Sequence, residues 1–193
     1  MRPPDRERLD PTSFRRVLGQ FATGVTVLTA RAGPVVHGMT ANAVASASLE
    51  PLLVVCAIDR RARMLELVRP GGRFAVSILA AGTEELARRF AGTAAPVGGE
   101  ATSIRFWPTA PDAPPILVGA MAALRCDVER QYDAGDHVLV LGRVTDLYGS
   151  AGREEPLLFF RGHYRRMRSV PAGGEGPAEE LLPEGLRLHY DEW

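Results

Sequence analysis

The stretch HGMTANAVASASLEPLLVVC, His37 to Cys56, decides how the whole chain is read. Its second half, Leu52 to Cys56, is an apolar, β-branched run and reads as a buried strand. Its first half has the length of a strand but is filled with Gly, Ala, Ser, Thr and Asn. A strand that only buries a core face carries large apolar residues at alternate positions. Small side chains instead let another object come close to the backbone, whose N–H and C=O groups can then bind it. Period-two counting puts Thr40, Asn42, Ser46 and Ser48 on one face. Two readings stand at this point: a shelf for a flat, heteroaromatic ligand, or close packing against a helix or a second subunit.

Working outward, DPTSFRRVLGQFAT opens with capping residues and spaces Phe14, Val17, Leu18 and Phe21 for a short amphipathic helix. GVTVLTAR alternates as a strand, and VVHGMTANAVASASL and LLVVCAI follow as two more. RARMLELVRP reads as a helix stopped by Pro70 and two glycines. RFAVSIL is a strand and GTEELARRF a helix with Thr83 as its cap. Residues 91–115, rich in Gly, Pro and Ala, read as a surface excursion. LVGAMAALRCDVERQYDAG and DHVLVLGRVTDLYG form a long hairpin turning at DAGD, and PLLFFRGHYRRM supplies a final edge strand. The expected organisation is a polar arm at 1–11, one domain at 12–170 and a flexible tail at 171–193, with six or more strands and only two or three short helices. A closed or partly closed antiparallel barrel suits hairpin connections better than a doubly wound sheet.

The chain has 193 residues, 46% hydrophobic and 24% charged, the balance of a globular domain. Its 23 basic and 23 acidic residues cancel, so the basic excess of a nucleic-acid binder is missing. All the basic residues are Arg, which excludes lysine Schiff-base chemistry and a phosphate loop of the G-x-x-x-x-G-K type. No apolar run approaches the roughly 20 residues that span a bilayer. The charged N-terminus lacks the apolar core of a secretory signal, and Cys56 and Cys126 each sit in an apolar run. The cytoplasm is the expected location, with the two thiols buried rather than paired. No Cys/His spacing suggests a metal, and no G-x-S-x-G suggests a hydrolase.

Two charged motifs remain. DRRARM, Asp59 to Met64, lies at a strand end before a helix, where N–H groups and Arg60, Arg61 and Arg63 could meet a phosphate, or simply form a solvated cluster. GDHVLVLGRV places His137 at a strand start after a tight turn, as a ligand contact or a structural histidine.

Taken in order, FRRVLGQFATGVTVLTA, HGMTANAVASASLEP, GRFAVSIL with LARRFAG, GDHVLVLGRV and PLLFFRGHYRRM resemble the flavin reductase-like family, the small reductase components of two-component monooxygenases. The resemblance runs from about Phe14 to Met167. It implies an antiparallel, Greek-key, FMN-binding split β-barrel with a few short helices, usually a homodimer. It further implies hydride transfer from NADH or NADPH to FMN or FAD, with reduced flavin passed to a partner monooxygenase. By position, Thr40, Ala41, Asn42, Ala43, Ser46 and Ser48 would line the flavin ring and ribityl chain. Asp59, Arg60, Arg61, Ala62 and Arg63 would hold its phosphate region, and Phe90 with Ala91 would close the pocket. His137 and Tyr164 would meet the nicotinamide nucleotide; no catalytic acid, base or nucleophile and no metal is assigned. The chain departs from the family in having Pro51 alone after Glu50, and Ala62 and Met64 where hydroxyl residues are common. A self-contained flavoprotein oxidase or ferric reductase, and a non-catalytic flavin-binding module, are the competing expectations.

Overall fold

Asp10 starts the first helix. Its carboxylate accepts from the Thr12 and Ser13 N–H groups, both at 2.9 Å, and Pro11 occupies the first turn, where no N–H is needed. The result is α1, Pro11–Leu18. In a computed structural model describing residues 5–92, 104–149 and 154–167, the chain continues as β1 (Thr23–Gly24), β2 (Thr26–Ala32), β3 (Val35–Ala41), β4 (Val44–Leu49) and β5 (Leu52–Asp59). Then come α2 (Arg63–Leu67), β6 (Arg73–Leu79), a 3-10 turn at Ala81–Thr83 and α3 (Glu84–Ala91). The predicted long hairpin is β7 (Ala120–Ala134) and β8 (His137–Gly149), turning through Gly135 at φ +64°. β9 (Leu157–Phe160) and β10 (His163–Arg166) end the described chain.

Seven strands pair antiparallel in the order β3-β2-β6-β7-β8-β5-β4. The two outermost strands, β3 and β4, are consecutive in the chain and joined only by Asn42 and Ala43. Laid flat, six inter-strand spacings would separate them by about 29 Å. Three Cα steps, from Ala41 to Val44, reach about 11 Å at most. The sheet therefore rolls until its edges meet at this link. The Thr26 hydroxyl on β2 donates to the Ala41 carbonyl at 2.7 Å, and the Ala57 N–H on β5 donates to the Ala43 carbonyl at 3.0 Å. One link is thus fastened to both sides of an open barrel.

Several expectations are corrected here. The single strand read through VVHGMTANAVASASL, residues 35–49, is two strands on opposite edges. The final edge strand is a β9–β10 hairpin in a separate three-stranded sheet with β1. The excursion at 91–115 is not all surface: Ala113 to Leu117 are buried, because the Thr29 hydroxyl and the Arg31 guanidinium bond to the Pro115 and Ala113 carbonyls. Thr83 stands at the start of α3 but its hydroxyl turns back to the Ala80 carbonyl at 2.8 Å. Residues 93–103 of the excursion and the expected tail at 171–193 lie outside the described residues.

Two apolar clusters hold the fold. Inside the barrel, Leu28, Ile58, Phe74, Val76 and Val140 pack with Met64 and Val68, which α2 and the residue after it drive into that interior. Outside β2 and β6, Val25, Val27, Leu79 and Leu157 pack against Ala87 and Phe90 of α3. Gly38 is required there, since a Cβ would lie 2.3 Å from the Phe90 ring.

His37 on β3 is 5% exposed. Burial first, and the nearby Arg63 charge second, lower its imidazole pKa. Near pH 7 the ring is neutral whether the chain is folded or not. Below about pH 6.5 the unfolded chain takes up the proton first, so this group removes up to about 1.4 kcal/mol of stability per pH unit as pH falls. Urea unfolding at about pH 7 and about pH 5.5 measures the loss. His37→Leu should lose less stability over that interval than the native chain, and equal losses would mean that His37 titrates as it does in water.

Candidate functional site

Rolling the sheet leaves a groove of about 1140 Å³ between α1 and strands β4, β5 and β8. Its walls are apolar. Phe14 and Leu18 are set on one face of α1 by helical spacing, and Phe21 follows; they are 62%, 48% and 73% exposed. Leu49, Leu52 and Leu147 complete the lining and are also open to solvent. Sequence reading placed Phe14 and Leu18 correctly at helical spacing, whereas Phe21, also expected on the helix, lies beyond its end at Leu18; nothing local in the sequence says that this face remains uncovered.

Asn42, Ala43, Ser46 and Ser48 line the groove; Thr40 and Ala41 do not. Thr40 donates its hydroxyl to the Ala87 carbonyl of α3 at 2.7 Å, and Ala41 is 9% exposed within the barrel core. The expected polar row is broken for two reasons. The chain changes sheet edge after Ala41, and β4 carries a bulge between Ser46 and Ser48 that resets the alternation. Some of its polarity is already used: Asn42 donates to the Thr23 hydroxyl at 3.3 Å, and the Ser48 hydroxyl accepts from the Glu50 N–H at 3.1 Å. The Asn42 and Ala43 N–H groups, exposed on the link, make no hydrogen bond to any described residue.

β5 runs from this groove to a charged corner. Its last residue, Asp59, pairs in register with His137, the first of β8. The Asp59 carboxylate accepts from the Arg61 N–H at 2.8 Å and from its guanidinium at 3.1 and 2.8 Å. Those bonds, side chain first, hold it well below the usual carboxylate range. Arg60 donates its N–H to the Asp136 carbonyl at 3.0 Å and Nε–H to the Gly135 carbonyl at 2.7 Å, and pairs with Asp133 at 2.7 Å. Arg63 is exposed and makes no bond or ion pair to a described residue. Ala62 precedes α2 without a side-chain cap. The motif read as three arginines awaiting a phosphate is therefore two arginines engaged by the fold and one open. Asp133, Gly135 and Asp136 were the partners that sequence reading missed; the acidic turn DAGD was their only signal.

Phe90 is buried, under Gly38, and Ala91 ends α3 at the surface. Tyr164 stands on the smaller sheet, edge-to-face on Phe159 at 5.5 Å, with the Arg88 guanidinium 5.1 Å from its ring centroid. Burial raises its phenol pKa, with Arg88 acting against that. The structure thus joins Asp59–Arg63 to His137 along one ladder and places Phe90 and Tyr164 around α3. Cys56 and Cys126 are free and buried, with thiols pushed up to about 12 mainly by desolvation, so neither is a nucleophile at neutral pH. No metal-binding cluster and no helix long and apolar enough to cross a membrane occur among the described residues. What the site offers is shape, free N–H donors and placed charge.

Residues 18–168 match the family model described as the flavin reductase like domain. An NADH-dependent flavin reductase of Rhodococcus sp is 40% identical over 161 residues, 81% of this chain and 86% of that one. The reductase component of 4-hydroxyphenylacetate 3-monooxygenase from Thermus thermophilus is 39% identical over 156 residues, 80% of this chain and 95% of its own. Among solved structures, an NADH:FAD oxidoreductase of Streptomyces globisporus superposes with a TM-score of 0.77 at 36% identity, covering 86% of this chain and 100% of that one. With its mainly antiparallel β architecture and its split between β3 and β4, this chain belongs to the flavin reductase-like family.

Proposed function

We propose that the protein is an NAD(P)H-dependent flavin reductase that transfers hydride to FMN or FAD and supplies reduced flavin to a partner monooxygenase. The observation that carries this reading is the pair of free N–H donors on the Asn42–Ala43 link, at the edge of an apolar groove of about 1140 Å³, volume enough for a three-ring system. A bound flavin supplies the hydride-accepting ring, and the chain's own groups do the rest. Apolar walls from β4 and β5 exclude water from one ring face. The two N–H groups would stabilise the negative charge that develops on a flavin bound beside the link, and being anchored through the neighbouring carbonyls they would need little reorganisation. Arg63, unpaired at the start of α2, is the guanidinium available to the flavin phosphate. His137, 41% exposed at the side chain, orients the nicotinamide nucleotide. The named activities of the Rhodococcus and Thermus relatives support the reaction and the monooxygenase partner.

A second copy of this chain covers the remaining apolar face, from Phe14 on α1 to Leu147 on β8. So many large apolar side chains in one patch exceed what a monomer exposes. We propose a cytoplasmic location, a reading that the two free, buried thiols and the use of a nicotinamide donor support.

Nicotinamide oxidation measured with FMN, FAD and riboflavin side by side tests the activity; no flavin-dependent oxidation with any of them would end this reading. Ala43→Leu should weaken flavin binding at least tenfold by filling the groove, while its midpoint temperature stays within about 2 °C. Ala41→Leu, in the packed core, should instead cost about 1–3 kcal/mol of stability. His137→Ala should raise KM for NADH far more than it lowers kcat; a collapse of kcat at unchanged KM would assign the imidazole to chemistry instead. Light scattering should give twice the 20.9 kDa chain mass, whereas a monomer at micromolar concentration would remove the second copy.

A further inference from the structure

The turn between β7 and β8 is built around a histidine whose two ring nitrogens are treated differently. His137 Nδ1 lies 2.8 Å from the Asp136 carboxylate. An ionised carboxylate only accepts, so Nδ1 carries the proton and Nε2 is the nitrogen left for a ligand. Asp136 is held below the ordinary carboxylate range, first by its bond to His137, so the acceptor stays ionised across the neutral range. Across the ladder stands Asp59, whose carboxylate is tied up by Arg61 and cannot compete for Nδ1. The turn itself is fastened by Arg60, which reaches the carbonyls of Gly135 and Asp136 and the carboxylate of Asp133. Asp59, Arg60, Arg61 and Asp136, the charged groups around the imidazole on these two strands and the loop after β5, therefore each have a defined partner.

We infer that Asp136 is a positioning residue that fixes the His137 tautomer and aims Nε2 at the nicotinamide nucleotide, and that Arg60 serves this turn rather than the flavin phosphate. This rests on the reading of His137 as the nicotinamide contact. It moves one residue of the DRRARM motif from one substrate to the other, leaving Arg63 to the phosphate.

The test uses Asp136→Asn and Arg60→Met in the full-length protein. Asparagine keeps the size and turn preference of aspartate, and the Asp136 side chain is 90% exposed, so a merely structural role tolerates it. Its amide can donate to Nδ1 and so favour the wrong tautomer. Asp136→Asn should therefore move the His137 ring proton from Nδ1 to Nε2 in ¹⁵N NMR of the free protein at neutral pH, and raise KM for NADH about tenfold with little change in KM for FMN. Arg60→Met should raise KM for NADH and leave the preference for FMN over riboflavin intact. An unchanged ring proton in Asp136→Asn overturns the role of Asp136, and a lost FMN preference in Arg60→Met returns Arg60 to the phosphate. Should His137→Ala leave KM for NADH unmoved, the nicotinamide reading fails, while the NMR result still decides what Asp136 does to the ring.

Discussion

Two residues joining opposite edges of a seven-stranded sheet set the terms for the rest of the molecule. Asn42 and Ala43 cannot span a flat sheet, so the sheet rolls, and the roll creates an interior for one apolar cluster and an outer face for another. The same link cannot join either ladder fully, because it belongs to neither strand. Its flanking carbonyls are taken by Thr26 and Ala57, while its own N–H groups stay open. A defect in hydrogen bonding that would be costly if buried is tolerated at an exposed groove. It is also where donors for a ligand are most useful. Closure of the sheet and the open N–H donors are two consequences of one short connection.

The second organising feature is a strand that serves two ends of the site. Leu52 to Val55 of β5 lie along the groove, and Asp59 ends the strand beside His137. Because a strand rises about 3.3 Å per residue, the distance between the groove and the charged corner is set by backbone geometry rather than by flexible loops. The exposed ion pairs at that corner add little to stability. Their effect is geometric: Arg61 restrains Asp59, and Arg60 restrains the β7–β8 turn.

Much of this was legible in the sequence. The cap at Asp10, the hairpin at DAGD, the helix at RARMLELVRP and the small-residue stretch all follow from local rules of spacing and turn chemistry. The composition argument that GMTANAVASAS was too small and polar for a core strand pointed to a stretch of which Asn42, Ala43, Ser46 and Ser48 do line the groove. Ala41 marks its limit. It shares the chemistry and neighbourhood of Ala43, yet one alanine is core and the other lines the groove. The difference arises from the edge change after Ala41 and the bulge near Ser46, and neither has a local signature. Phe90, read as a lid on the pocket, is under Gly38 for the same kind of reason, since α3 packs on β3 through contacts distant in sequence.

The sequence by itself determined the class of fold, most of its helices and strands and the small, polar stretch that would face a ligand, because periodicity and turn residues act over a few positions. Only the tertiary structure decided which of those residues face the groove, which arginines are already paired and which apolar face stays uncovered. Those outcomes depend on strand register and on closure of the sheet, where groups far apart in the chain compete for the same partners. Asp59 claims Arg61 and the β7–β8 turn claims Arg60, and no local rule could apportion them before the ladder between β5 and β8 was in place.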